Sequence, residues 1–382
     1  MKEETQHLII DKILNSYKQR ISDVAPESSS IPVSHYTSEK RYLEECNALF
    51  RERTPLIIGR SAEVPSEGDF ITHLETPVPV LAVRGKDGKL RAFINVCRHR
   101  GTMLVGAASG KSKKSFACPY HSWTYNLHGE LIAIPHEYGF NDRDKKCLGL
   151  AELPVQELFG FIWCIPGGKE PFNIREYLGQ EICDDFKSYN IDADIVYDVR
   201  EAERAINWKL TMDTFLENYH VKHAHRTTID SFFLDNISVT DPMGKHVRIV
   251  FPKKTILELE NIPRADFPDI RKHANVLYSL FPNTLVLMEP DHISVSHVYP
   301  KKIDATKVVS YTLLKEPPAS EKAIAYWKKN NDILYGALEE DFNMAKLVQQ
   351  GLLSGANESL IHGRFEKGLK FFHHSIDQAL SD

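Results

Sequence analysis

The sequence predicts an α+β fold in two parts: an all-β module, then an antiparallel sheet covered by helices. Short β-rich runs separated by glycine turns occupy residues from about 56 to 166. The strand candidates "HVRIVFP", "NTLVLMEP", "HISVSHVYP" and "TKVVSYTLL" follow one another in the second half, and long helical candidates fill about 320 to 380. Strands grouped before helices fit an antiparallel sheet better than alternating βαβ units.

With 382 residues, 42 % of them hydrophobic and 10 % aromatic, the chain is long and apolar enough for two or three folded domains. A net charge of −5 with both signs interspersed offers no basic stripe to nucleic acid. Six cysteines are too few for a disulfide scaffold, and in a reducing compartment clustered cysteines are more often metal ligands. The N-terminal "MKEETQHLIIDKILNSYKQR" is acidic where a secretory signal would be basic, and no apolar run approaches the ~20 residues of a membrane span, so a cytoplasmic protein is expected.

In chain order, that N-terminal stretch reads as an amphipathic helix with Leu8, Ile9, Ile13 and Tyr17 on one side, and "SEKRYLEECNALFRE" as a second helix. The texture changes near Pro55. "VPVLAVRGKDGKLRAFINVC" is a hairpin around a turn at 85 to 88, and "SFACPYH", "WTYNLHGELIAI" and "LFGFIWCIP" are further strands. "PGGKEP" marks a boundary. The expected division is 1–55, a helical segment packing on the catalytic domain, then 56–166, all-β, then 167–382. "NWKLTMDTFLENYHVKHAH" reads as helical for most of its length.

Two constellations carry chemistry. Cys97-x-His99 and Cys118-x-x-His121 each join one thiol to one imidazole in hairpin surroundings. Zinc fingers usually pair cysteine with cysteine and histidine with histidine. In an extended segment residues i and i+2 face one side, so Cys97 and His99 could address one centre. A [2Fe-2S] cluster with two cysteines on one iron and two histidines on the other needs this mixed supply. "GAASGKS" between the pairs has three residues between Gly106 and Gly110, one short of a phosphate-binding loop, and no helix signal follows, so no nucleotide site is expected there and "KSKK" reads as a solvated turn.

In "MDTFLENYHVKHAH", Asp213, Glu217 and His220 fall on one face if helical, whereas His225 lies about 140° round from His220, so both reach one metal only if the helix ends or bulges between them. Two imidazoles and a carboxylate form the facial triad of non-haem Fe(II) oxygenases. His223 competes as a ligand.

"CRHRG", "CPYHSW" and the Asp213-x3-Glu217-x2-His220-x4-His225 run after "NWK" resemble Rieske non-haem iron oxygenases, in their terminal oxygenase or alpha component, across about residues 56 to 350. The resemblance implies a Rieske domain holding a [2Fe-2S] cluster through Cys97, His99, Cys118 and His121. It also implies a helix-grip catalytic domain with Fe(2+) on His220, His225 and Asp341, the last in "ALEEDFNMAKLVQQGLLSG" with Glu339 and Glu340 as neighbouring alternatives. Glu217 would bridge between an iron ligand and a cluster histidine, His121, of a neighbouring subunit in a homotrimer, with Asp213 on the same electron route. No dinucleotide or ferredoxin motif occurs in the chain, so electrons are expected from a separate NAD(P)H-dependent reductase, with or without a ferredoxin.

The expected reaction is oxidation of a small organic molecule with dioxygen. Glutamate at the bridging position resembles the branch acting on quaternary amines such as carnitine, choline or betaine; tailoring of an aliphatic or polyketide-type natural product is the alternative. Aromatic candidates for a cation cage are Phe215, Tyr219, Tyr278, Phe281 and Tyr299, each also readable as core. A Rieske electron carrier without catalytic iron is the reading from another class.

Overall fold

The computed structural model describes residues 1–381. Two compact units form, one from Glu45–Tyr177 and the other from Met1–Glu44 together with Leu178 onward. The first unit is wider than the expected 56–166 at both ends. Its leading end is the last three residues of the helix Glu39–Asn47, which runs on as a π-helical turn Ala48–Glu52, and the Gly167 amide donates to the Arg51 carbonyl at 2.7 Å. Gln156 then ties in the tail, its amide donating to the Phe172 carbonyl and its oxygen accepting from the Ile174 amide.

Within Glu45–Tyr177 every sheet is antiparallel. A five-stranded sheet runs in the order Glu152–Leu153, Leu90–Ile94, Val80–Arg84, Phe70–His73, Ser109–Gly110. Two three-stranded sheets complete the unit, one of them Ser115–Ala117, Thr124–Asn126 and Leu131–Ala133. Alternating residues Leu81, Val83, Phe93, Phe116 and Tyr125 supply the core, and Cys97, Cys118 and Trp123 are buried in it. The "GKDG" turn closes as expected, with Gly88 at φ +76° and Asp87 bound by Arg91. Before "KSKK", Ser109–Gly110 pairs with Phe70–His73, and Lys111 is held by Asp69 at 3.3 Å.

The other unit is built on a seven-stranded antiparallel sheet in the order Ile195–Arg204, Ala305–Leu314, His292–Lys302, Thr284–Met288, Ala274–Leu280, His246–Pro252, Val239–Met243. All four strand candidates in this half are present. The edge strand Ile195–Arg204 escapes sequence reading because half its residues are charged and most face solvent, which suits an edge. A 32-residue helix, Glu321–Leu352, packs on this sheet through Leu338, Phe342 and Ala345 against Leu210 and Val308. Asn207 locks the short helix Trp208–Thr214 to this frame: it caps Lys209, donates to the Tyr36 and Ile303 carbonyls, and its amide reaches Gln349. The N-terminal helix Glu3–Gln19 buries Ile9, Ile10, Ile13 and Leu14, while Leu8 and Tyr17 are exposed. The buried stripe is thus turned by about one residue from the expected face. Among the described residues no helix is long and apolar enough to cross a membrane.

A buried charge cluster ties sheet to helix. Arg248 donates to Asp185 at 2.9 Å and Asp241 at 2.9 Å, and the Tyr278 hydroxyl donates to Asp185 at 2.7 Å. Removing Arg248 leaves the buried Asp185 carboxylate without its guanidinium partner. Arg248→Met is therefore expected to lower unfolding stability by about 3–5 kcal/mol, measured by denaturant titration; a change within ~0.5 kcal/mol would show that the cluster contributes no net stability.

Candidate metal centres

The two Cys-His loops share one backbone design. The Cys97 amide donates to the Thr102 carbonyl at 2.8 Å while the Gly101 amide returns to the Cys97 carbonyl at 3.1 Å. Likewise the Cys118 amide donates to Trp123 at 2.8 Å, and the Ser122 amide to Cys118 at 2.9 Å. The fifth residue of each loop is left-handed, Gly101 at φ +75° and Ser122 at φ +56°, a conformation glycine adopts without strain. The expected extended segment is thus a tight loop, and curvature rather than strand alternation brings Cys97 and His99 to one side.

His99 and His121 lie edge to face with ring centroids 4.6 Å apart, and His99 stacks on Trp123 at 4.7 Å. The Nδ1 atoms of both histidines are buried without a hydrogen-bond partner, an arrangement that costs energy unless something binds there. Burial, with His121 and Arg100 nearby, lowers the His99 pKa and keeps the ring neutral, as a ligand must be. Burial pushes the Cys97 thiol up, opposed by a contact at 3.4 Å with the Tyr125 hydroxyl. Two thiols and two imidazoles are the donor set of a [2Fe-2S] cluster with one histidine-ligated iron.

His220, His225 and Asp341 converge, with donor atoms within 4.8 Å of one another. Asp341 Oδ1 is 3.0 Å from His225 Nε2 and 3.4 Å from His220 Nε2. The expected helix through this region is present in two pieces with a break between them. Helix ends at Thr214 and resumes only for Val221–Ala224, because Asn218 turns inward to donate to the Leu234 and Ile237 carbonyls at 3.1 Å. Glu217 takes up the amides of Tyr219 and His220, which an unbroken helix would have paired internally.

Each imidazole is fixed from behind. His220 Nδ1 hydrogen-bonds Glu217, and His225 Nδ1 hydrogen-bonds Glu340 at 2.8 Å, leaving both Nε2 atoms for the centre. Burial disfavours the imidazolium at His220, but Asp341 and Glu217 outweigh it and hold the pKa up to about 10. Burial also resists charge on Glu340, yet Thr228, Thr227 and His225 keep it below the ordinary carboxylate value. Such a site favours a divalent cation, which can replace the two protons.

Other candidates lie elsewhere. His223 is exposed, and Glu339 pairs with Arg204. Asp213 does not reach the histidine pair: it accepts from Tyr36 at 2.7 Å and faces His373 Nε2 at 3.0 Å. The triad opens on a cavity of about 320 Å³ lined by Phe215, Phe232, Phe233 and Phe251. Of the five cage candidates only Phe215 lines it; Tyr278, Phe281 and Tyr299 are core, and Tyr219 is half exposed beside Phe365. Sequence reading missed Tyr125, Thr227, Thr228 and the three other phenylalanines, none of which sits in a recognisable spacing.

The model of the Rieske [2Fe-2S] domain matches residues 54–147, and that of the ring hydroxylating alpha subunit catalytic domain matches residues 186–382, more than half the chain. The chain belongs to the ring-hydroxylating alpha-subunit family. This Rieske oxygenase is 26 % identical over 373 residues to the oxygenase subunit of carnitine monooxygenase from Acinetobacter baumannii, covering 91 % of this chain and 94 % of that one. It is 34 % identical over 217 residues to the glycine betaine monooxygenase oxygenase subunit of Pseudomonas aeruginosa, covering 56 % and 49 %. A crystal structure of a quaternary ammonium Rieske monooxygenase with L-carnitine shares the fold at a TM-score of 0.78 and 23 % identity, covering 97 % and 98 %. Naphthalene 1,2-dioxygenase with indole bound shares it at 0.72 and 19 %, covering 94 % of each chain. Membership makes the oxygenase a [2Fe-2S] and non-haem iron enzyme and removes the electron-carrier alternative.

Proposed function

We propose that this oxygenase oxidises a quaternary ammonium compound at a mononuclear iron held by His220, His225 and Asp341, with its cluster on Cys97, His99, Cys118 and His121. The observation that carries the reading is the convergence of two imidazoles and one carboxylate on an aromatic-walled cavity. A quaternary nitrogen has no N–H to donate, so it is recognised by π faces and carboxylates, and Phe215, Phe232 and Phe233 line the same cavity as the triad. The named relatives that act on carnitine and glycine betaine support the same class.

When bound, the cluster supplies electrons and the mononuclear iron supplies dioxygen activation. The chain's own residues do the rest. Glu217 and Glu340 accept from Nδ1 of His220 and His225 and so hold each ring in the tautomer whose Nε2 can ligate. The apolar wall excludes water from the substrate end. Glu217 bridges His220 to His121 of a neighbouring subunit in a homotrimer, a route of the kind described for the quaternary ammonium relative as inter-subunit electron transfer. Electrons enter from a separate NAD(P)H-dependent reductase in the cytoplasm.

The test is metal analysis with reductase-coupled turnover. About three irons per chain and oxygen uptake matched to product from a trimethylated amine are expected. Coupled oxidation of aromatic hydrocarbons but of no quaternary amine would overturn the substrate class.

Tyr125 tunes the cluster in this reading. Its hydroxyl, kept protonated by burial, donates toward Cys97 Sγ and accepts from the Arg98 amide at 3.0 Å. Hydrogen bonds to sulfur favour the reduced, more negative state. Tyr125→Phe should lower the one-electron potential by about 60 mV, the equivalent of ~1.4 kcal/mol, read by redox titration of the cluster's visible absorbance; an unchanged potential would remove Tyr125 from that role.

A further inference from the structure

The C-terminal helix Lys367–Ser381 grips the segment that leads into the iron-site histidines, and it does so at three points. Phe372 packs edge to face on Trp208 with ring centroids 5.9 Å apart. Next to it His373, fully buried, sets Nε2 3.0 Å from Asp213 Oδ1 and 3.0 Å from the Tyr36 hydroxyl, which itself donates to Asp213 Oδ2 at 2.7 Å. Both ends of the short helix Trp208–Thr214 are thereby fixed to the C-terminal helix.

The third point is Gly368, about one turn before Phe372. A Cβ added there would stand 2.3 Å from the Leu216 carbonyl oxygen and 3.1 Å from Ile249 Cδ1, against a floor of roughly 3.0 Å for such contacts. Only a residue without a side chain lets the two backbones meet so closely. In an unbroken helix the Leu216 carbonyl would accept from the His220 amide. Here it faces Gly368, and the His220 amide turns to Glu217 instead. Asn218 pins the same turn from elsewhere, through Leu234 and Ile237. The C-terminal helix cannot back away from an obstacle at 368 without breaking its contacts to Trp208 and Asp213, and Ile249 on the strand His246–Pro252 closes another side. The Leu216 carbonyl must yield, and Glu217 is the next residue.

We infer that the C-terminal helix positions the mononuclear iron site through Gly368, with His373 as its anchor: the missing side chain sets where the turn 215–220 lies, and with it the Glu217 carboxylate behind His220. This role rests on the iron assignment proposed above and extends it to a residue that neither ligates the metal nor lines the cavity. Gly368 is a positioning residue, acting through Leu216 and Glu217.

The experiment uses the full chain with its cluster in place. It reads mononuclear iron affinity by anaerobic equilibrium dialysis and the ferrous site's nitric oxide adduct by electron paramagnetic resonance. Gly368→Ala is expected to bind this iron about 10–100-fold more weakly and to change the adduct's spectrum, as loss of the support behind a ligating histidine does, while the cluster's absorbance stays the same. Ile376→Ala is the control. Ile376 is fully buried about two turns along the same helix, so its truncation lowers the melting temperature yet leaves iron affinity and adduct as in the intact protein. Where Gly368→Ala does not fold, His373→Phe carries the test, since it frees Asp213 and adds no bulk at Leu216; iron about 5-fold weaker is expected, the worth of one hydrogen bond. Iron affinity and spectrum unchanged in the variant that carries the test overturn the role of the helix. So does equal weakening by Ile376→Ala, which would reduce the effect to helix stability. Asp341→Ala, run alongside, separates this role from the ligand assignment: if it keeps its iron while Gly368→Ala binds weakly, the ligand set falls and Gly368 stands.

Discussion

Asp341→Ala will purify with about two irons per chain instead of about three, with an unchanged cluster spectrum and no measurable product. Among the described residues, Asp341 Oδ1 is the one carboxylate oxygen within 3.4 Å of both His220 Nε2 and His225 Nε2. Without it two neutral imidazoles remain, too few for a hard divalent iron. Turnover should fall at least about 10³-fold, since the metal contributes several kcal/mol of transition-state stabilisation at 1.36 kcal/mol per tenfold. Glu340, the adjacent residue, cannot take over: it is turned about 100° away on the helix. Its oxygens are held by Thr227 at 2.7 Å, Thr228 at 2.5 Å and His225 Nδ1 at 2.8 Å. A third iron retained in the alanine variant would move the ligand assignment elsewhere.

Glu217→Ala is expected to keep its cluster, to bind mononuclear iron about 10–100-fold more weakly, and, with iron in excess, to turn over at most about one per cent as fast. Two losses are combined in that figure. The first is orientation, because Glu217 holds the Nδ1 side of His220 and the amides of Tyr219 and His220 that an interrupted helix leaves open. The second is the proposed electron route. A single-turnover experiment separates them. When pre-reduced, iron-loaded variant meets dioxygen and substrate, the cluster should remain reduced for long after the intact protein's has reoxidised. Cluster reoxidation at the normal rate would confine Glu217 to positioning His220.

Much of the α+β architecture was legible because periodicity reports burial. "TLVLM" and "VVSYTLL" alternate or run apolar because they lie in the middle of a sheet, and the 85 to 88 turn announces itself through glycine. The strand Ile195–Arg204 was not legible, since an edge strand with solvent on most residues carries no such signal. The N-terminal helix was legible as a helix, but which of two overlapping stripes is buried depends on what it packs against. Local patterning read 207 to 225 as helical for most of its length, which holds, but did not place the break between Thr214 and Val221. There the tertiary hydrogen bonds of Asn218 to Leu234 and Ile237 outweigh the local preference, consistent with helix stability coming mainly from packing.

The sequence by itself determined the kind of chemistry. Donor identity and order in "CRHRG", "CPYHSW" and Asp213 to His225 limit which metals can be held, because ligand type is a property of the residue and survives any folding detail. Tertiary structure alone decided which groups act together. It set Asp341 rather than Glu339 or Glu340 against the two imidazoles, because helix rotation separates neighbours by about 100°. It directed Glu340 to the back of His225 and Asp213 to Tyr36 and His373. It also brought Lys253 and Asn275, which belong to none of the motifs, to the wall of the triad's cavity. Proximity across a sheet or along a 32-residue helix is fixed by packing of residues far apart in the chain, and no local spacing records it.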